Sequence, residues 1–147
     1  MSLNFMTALD IAASGLSAQR TNLNVISMNL ANINTTRTPE GGPYKKKTVI
    51  FQAAPIKWPF DNLMASRIER EVKGVKVNRI VEDNKSFKKV YDPNHPDADK
   101  DGYVLYPDIN PVEEMAKMLT SLRSYEANLS TISSIKTMLN RALDIGR

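Results

Sequence analysis

The chain has 147 residues, of which 41% are hydrophobic and 24% charged. That is close to the globular average, which excludes a wholly disordered or fibrous protein and leaves room for one ordinary core. Twenty Lys and Arg against sixteen Asp and Glu give a formal charge of +4, too small and too dispersed to require a nucleic-acid partner. With no cysteine, neither disulfides nor thiolate chemistry are available, and the chain is indifferent to the redox state of its compartment.

The opening Met1-Ser2-Leu3-Asn4-Phe5 lacks the basic start and apolar core of a secretory signal, and no run approaches the roughly 20 apolar residues that span a bilayer. Passage out of the cytoplasm is therefore expected to use an unprocessed route. From Phe5 to Ile33 no proline intervenes, and apolar positions fall on two interleaved seven-residue series, Leu9, Leu16, Leu23, Leu30 and Phe5, Ala12, Ile26, Ile33. Spacings of three and four keep such positions on one face of a helix, as in a coiled coil. Gln19 is the polar intruder in this seam, and it either holds register by hydrogen bonding or marks an end open to water. Gly15, which costs about 1 kcal/mol relative to alanine inside a helix, predicts a close neighbour or a bend. Asn24, Asn29, Asn32 and Asn34 cluster toward the helix end, where they either cap a fraying turn or hydrogen-bond across subunits.

Between Thr35 and Pro111 the chain is rich in turn formers. Tyr44–Gln52, Gly74–Glu82, Phe87–Tyr91 and Tyr103–Tyr106 are β-branched or aromatic and bounded by turn signals, so they are expected to be strands. Lys45, Lys46 and Lys47 alternate faces along such a strand and form no single phosphate-binding patch. His95, the only histidine, sits between Asn94 and Pro96 as a turn residue. Asp97, Asp99, Asp101, Gly102 and Asp108 follow the spacing of a calcium loop, but Pro93, Pro96 and Pro107 remove the flanking helices and Asp108 is too short to chelate as the usual glutamate does. A polar turn accounts for them.

The second helix has an explicit start: Asn110 as cap, Pro111 in the first helical position and Glu113 where a capping box needs a carboxylate. Met115, Leu122, Leu129, Leu143 and Met118, Tyr125, Ile132, Leu139 form two further seven-residue series, with Lys136 as the exception and Gly146 as the stop. The fold class expected is mainly α with a small β module: an antiparallel coiled-coil stem of residues 1–36 and 110–147 carrying a β-rich unit of residues 37–109. The expected subunit interface is the seam itself, Phe5, Leu9, Ala12, Leu16, Gln19, Leu23, Ile26, Leu30 and Ile33 with Met115, Met118, Leu122, Tyr125, Leu129, Ile132, Leu139 and Leu143. Two helices joined by one seam are expected to need neighbouring subunits to complete their burial. No catalytic residue, cofactor or metal ligand is assigned.

Ser14-Gly15-Leu16-Ser17-Ala18-Gln19 and Leu23 through Thr35 closely resemble the N-terminal signature of the flagellar rod and hook proteins. Glu113-Glu114-Met115, Arg123 through Asn128 and the end of the chain resemble the terminal helix of the same family. Val90-Tyr91-Asp92-Pro93, His95 through Asp99 and Gly102-Tyr103-Val104, with the short length, are similar to the proximal rod members. Lys57–Lys73, with Trp58, finds no clear counterpart. The resemblance implies a structural subunit of the basal-body rod, exported unfolded by the flagellar type III apparatus and assembled in the periplasm. Its terminal helices would pack with those of other rod subunits and of its own copies in a tube around the export channel. Another short rod subunit, or a rod component of a related secretion system, is the alternative within that class. A small nucleic-acid-binding module is the alternative outside it.

Overall fold

The computed structural model describes residues 5–56, 73–83 and 87–145; the segment around Trp58 and the stop at Gly146 lie outside them. Helix α1 spans Phe5–Ala31, strands β1 and β2 span Lys47–Pro55 and Lys73–Glu82, β3 and β4 span Phe87–Tyr91 and Tyr103–Pro107, and helix α2 spans Pro111–Ile145. At about 1.5 Å per residue the helices are about 40 Å and 52 Å long. No helix among the described residues is long and apolar enough to cross a membrane.

The start of α2 is built as its residues dictate. Asn110 Oδ1 accepts hydrogen bonds from Val112 N at 3.0 Å and Glu113 N at 3.5 Å, satisfying amides that have no partner within the helix. Glu113 does not turn back to complete a capping box; its carboxylate pairs forward with Lys117 one turn along. At the other helix's end, Asn32 Oδ1 accepts from Thr35 Oγ1 at 3.1 Å while its Nδ2 donates to Met28 O at 2.9 Å.

The expected coiled-coil stem with one β module is corrected on two points. Helix makes up only about half of the described residues and strand 24%, and the strands form two separate two-stranded antiparallel sheets, β1-β2 and β3-β4. The helices do run antiparallel, but polar residues meet between them where coiled-coil packing needs apolar ones. Gly15 faces Asn128, whose Nδ2 lies 2.9 Å from where a Cβ would sit. Asn22 Nδ2 donates to Ser121 Oγ at 2.8 Å, and Asn29 Nδ2 donates to Glu114 Oε2 at 3.1 Å. These contacts step seven residues up one helix and seven down the other. Gly15 thus has the close neighbour its presence predicts.

Sheet β1-β2 also packs on α1. The contact is close at Gly74, where a Cβ would lie 2.7 Å from Ser14 Oγ, so only glycine admits the helix here. Ser14 Oγ accepts from Val75 N at 3.1 Å and donates to Ile11 O at 2.7 Å. A bulge at Asn78, which has no partner between the Ile50–Arg79 and Phe51–Val77 pairs, bends the ribbon as it passes the helix. In the second sheet Gly102, at φ 76°, makes the turn into β4, and Tyr91 and Tyr103 pack edge to face with centroids 5.3 Å apart.

The core is small. Nine apolar side chains among the described residues are buried, among them Val25, Ile26, Tyr44, Val49, Val104 and Ile109, while eighteen large apolar ones are exposed. The fold taken alone therefore leaves many large apolar side chains partly open to water.

Candidate functional site

Two features stand out among the described residues: a buried polar clamp that joins both helices to β1, and a face of α2 that stays exposed. The clamp centres on Asn29 and Glu114, each only 1% exposed. Asn29 uses its whole amide. Its Nδ2 donates to Lys47 O at 2.8 Å and to Glu114 Oε2 at 3.1 Å, and its Oδ1 accepts from Lys47 N at 2.9 Å and from Tyr44 Oη at 3.1 Å. Two donors and two acceptor sites are the full inventory of a carboxamide, so one side chain ties the end of α1 to the first residue of β1 and to the first turn of α2.

Glu114 is held from the other side by cations. Lys46 Nζ lies 3.0 Å from Oε1 and Lys117 Nζ 3.2 Å from the same oxygen. Burial by itself would raise the Glu114 carboxyl, but the hydrogen bonds from Asn29, Lys46 and Lys117 outweigh it and hold the group below its ordinary value. Burial, with the Glu82 and Glu114 charges adding to it, pushes the Tyr44 phenol up. The hydrogen bond to Glu113 raises Lys117 and lowers Glu113. Lys47 turns to Glu82 at 3.3 Å, so the adjacent lysines serve different carboxylates, as strand alternation requires. Beside the clamp runs an open groove of about 420 Å³, floored by Val25, Ile26 and Val49 and rimmed by Asn22, Lys46 and Ser121.

The uncovered face belongs to α2. Val112, Met115, Leu119, Leu122 and Leu129 follow one another at helical spacing and are between 42% and 73% exposed. They form an apolar row about 25 Å long, interrupted by exposed Glu126 between Leu122 and Leu129.

Chain comparisons bear on both features. Residues 9–37 match the model of the flagella basal body rod protein family, and residues 100–145 match that of the flagellar basal body rod FlgEFG protein C-terminal family. A flagellar basal-body rod protein FlgC of Bacillus subtilis is 41% identical over 147 residues, covering 95% of this chain and 97% of its own length. FlgC of Borreliella burgdorferi is 40% identical over 150 residues, covering 97% of this chain and 98% of the relative, and that of Salmonella typhimurium is 37% identical with the same coverage. The chain belongs to the FlgC family of flagellar basal-body rod proteins. In this FlgC chain the two family-matched stretches are the two halves of the clamp, one carrying Asn29 and the other Glu114.

The residues expected from the seam divide into groups. On α1, Ala12 and Ile26 are buried, Leu9, Leu16, Gln19, Leu23 and Leu30 are half-buried, Phe5 is 43% exposed, and half-buried Ile33 lies in the turn beyond the helix. Gln19 Oε1 is buried without a hydrogen-bond partner among the described residues. On α2, Met118, Tyr125, Ile132 and Leu139 are half-buried, whereas Met115, Leu122, Leu129 and Leu143 face outward. The row that does face α1 with the first group is Glu114, Ser121, Asn128 and Ile135, of which three are polar. It faces inward because Asn29, Asn22 and Lys46 supply hydrogen bonds there, without which burial would be costly. The asparagines divide as well: Asn29 is an intramolecular clamp, Asn32 a cap, and Asn24 and Asn34 are exposed. In the acidic loop, Asp97 is occupied by Thr36 Oγ1 at 2.8 Å and faces Arg37 at 3.8 Å. His95 Nδ1 accepts from Asp97 N at 3.1 Å, as a turn residue does.

Proposed function

We propose that this FlgC chain is a structural subunit of the proximal rod and that it joins its neighbours through the outward row of α2 while catalysing nothing. The observation that carries this reading is the apolar row from Val112 to Leu129 lying open beside an inward face already filled by polar partners. An apolar row of this length on a water-soluble helix marks an interaction surface. The half-buried seam residues of α1 and α2 would complete their burial in the same assembly. The subunit would reach the periplasm unfolded through the flagellar type III apparatus, without cleavage, and take its place in the tube around the export channel with other rod components as partners. The clamp then has a mechanical role, keeping the α2 row fixed relative to the β ribbon when load passes along the rod.

Leu129→Asp tests the reading. Leu129 is 52% exposed, so the substitution leaves the isolated fold within about 0.5 kcal/mol of the original. In an assembled rod the same carboxylate would be desolvated at a cost of several kcal/mol. The expected result is exported, folded protein that is missing from isolated basal bodies, in non-motile cells. Incorporation at the original level would show that the row is not the assembly surface.

A further inference from the structure

We infer that the outer edge of β1, from Val49 to Ala53, is a strand-addition site for one uncharged, extended segment of a different polypeptide. The site is separate from the α2 row and does not rest on the rod-subunit reading.

The hydrogen bonds fix which way each amide of β1 points. Asp83 N donates to Lys46 O at 2.8 Å, so Lys46 bonds across the ribbon, and in an antiparallel ladder such bonding recurs at every second residue, here Thr48 and Ile50. Lys47, Val49 and Phe51 accordingly turn their N–H and C=O away from β2. At Lys47 both groups are taken by the side chain of Asn29. Beyond the bulge, Val75 N leaves the ladder for Ser14 Oγ, so its pairing partner Ala53 faces outward too. Asn29 thus stands where the first residue of a neighbouring strand would stand. Three further rungs follow it, Val49, Phe51 and Ala53, with no hydrogen-bond partner on that side among the described residues.

An open edge pairs with another strand unless it is guarded by charge, proline or cover. Asn29 guards one end here and Pro55 the other, while Thr48 through Ala54 contain neither proline nor a charged residue. Val49 is only 8% exposed, so the backbone groups it leaves open gain from a partner. The groove beside it has α1 as its floor and Ala116, Thr120 and Ser121 of α2 as its far wall. At about 420 Å³ it takes one strand. A second copy's β1 would bring its own β2 about 4.8 Å further out, against α2, so a lone segment is the occupant. Charge defines that segment further. Lys46, Lys47 and Lys117 are matched by Glu82, Glu113 and Glu114, and no net charge is left for an ionic ligand to answer. A neutral backbone carrying apolar side chains over Val25 and Ile26 is the complement, with main-chain bonds supplying affinity and alternate side chains selectivity.

Amide exchange of the full-length chain tests the edge first. Thr48, Ile50 and Gln52, bonded into the ladder, should exchange about tenfold more slowly than Phe51 and Ala53. A neutral probe of alternating threonine and valine, five residues long, acetylated and amidated, is then added. At saturation it should slow Val49, Phe51 and Ala53 by about tenfold, and the same probe N-methylated at the amides that would face β1 should have no effect. Ala53→Pro removes one outward N–H without touching a ladder bond. The free chain should then keep its unfolding midpoint and lose about tenfold in probe affinity. Gln52→Pro, which removes a ladder bond, should instead lower the midpoint. Leu129→Asp should bind the probe as the original chain does, so the edge and the assembly row stand or fall separately. Uniformly slow exchange from Thr48 to Ala53 in the free chain, no response to the probe at millimolar concentration, or binding that survives N-methylation or Ala53→Pro overturns the inference.

Discussion

Asn29→Leu is the most direct probe of the clamp, because leucine keeps asparagine's branching and heavy-atom count while removing its hydrogen bonds. Four hydrogen bonds are lost. The Lys47 amide and carbonyl, both only partly shielded, and the buried Tyr44 hydroxyl are left without their partner, at about 1 to 2 kcal/mol each. Glu114 keeps Lys46 and Lys117, and Lys117 is half open to water, so no lone charge is stranded and the larger penalty of a broken buried ion pair does not apply. Burying the leucine returns about 1 to 2 kcal/mol. The net expectation is a loss of about 3 kcal/mol, near 10 °C in Tm for a chain of this length. Urea unfolding of the full chain, followed by circular dichroism, measures this as a lower midpoint at unchanged slope. A variant within about 1 kcal/mol of the original would mean that the amide's partners find equal ones elsewhere, and that the clamp does not hold the helices to β1.

The pH profile gives an independent measure. A carboxyl held below its ordinary value of 4.5, as Glu114 is, contributes stability that is present above that value and lost as pH falls through the depressed one. Lys117, raised above 10.5, and Tyr44, raised above 10.0, each contribute stability present at lower pH and lost as pH rises through the raised values. The urea midpoint should thus be flat from mildly acidic to mildly basic pH and fall at both ends. Glu114→Gln should flatten the acid limb, and an acid limb as steep as the original would place the titrating group elsewhere. At the helix contact, Gly15→Ala gains helix propensity but pushes against Asn128, so it should gain little alone and about 1 kcal/mol when combined with Asn128→Ala. A full gain from the single substitution would show that Asn128 does not press on Gly15.

The parts of the fold that were legible in the sequence are those whose causes are local. Asn110 and Pro111 mark the start of α2 because cap and first-turn chemistry act within three residues, and β-branched runs mark all four strands. Pairing is not local: nothing in the residues between β2 and β3 announces that the strands split into two sheets. Glu114 illustrates the harder case. In the first turn of a helix an acidic residue is favoured at the surface, and only Lys46 and Asn29, far along the chain, make this one a buried centre. Periodicity identified both apolar rows of α2 but could not say which row its own chain covers. The row of Met118, Tyr125, Ile132 and Leu139 is half-buried in the fold. That of Met115, Leu122 and Leu129 has the same spacing and is exposed. Asn29 was open to readings as a fraying cap or a contact between subunits, and its four intramolecular bonds fit neither.

The clamp also constrains when the chain can become itself. Asn29 and Glu114 are separated by 85 positions, so no N-terminal fragment ending before α2 contains both halves, and the contact forms only after nearly the whole polypeptide is available. Closing so long a loop is slow compared with forming either helix. An emerging chain would hold α1 and the β1-β2 ribbon as loosely joined pieces and lock them in one late step. Order along the sequence thereby becomes order in time, with the last helix to appear completing the work of the first.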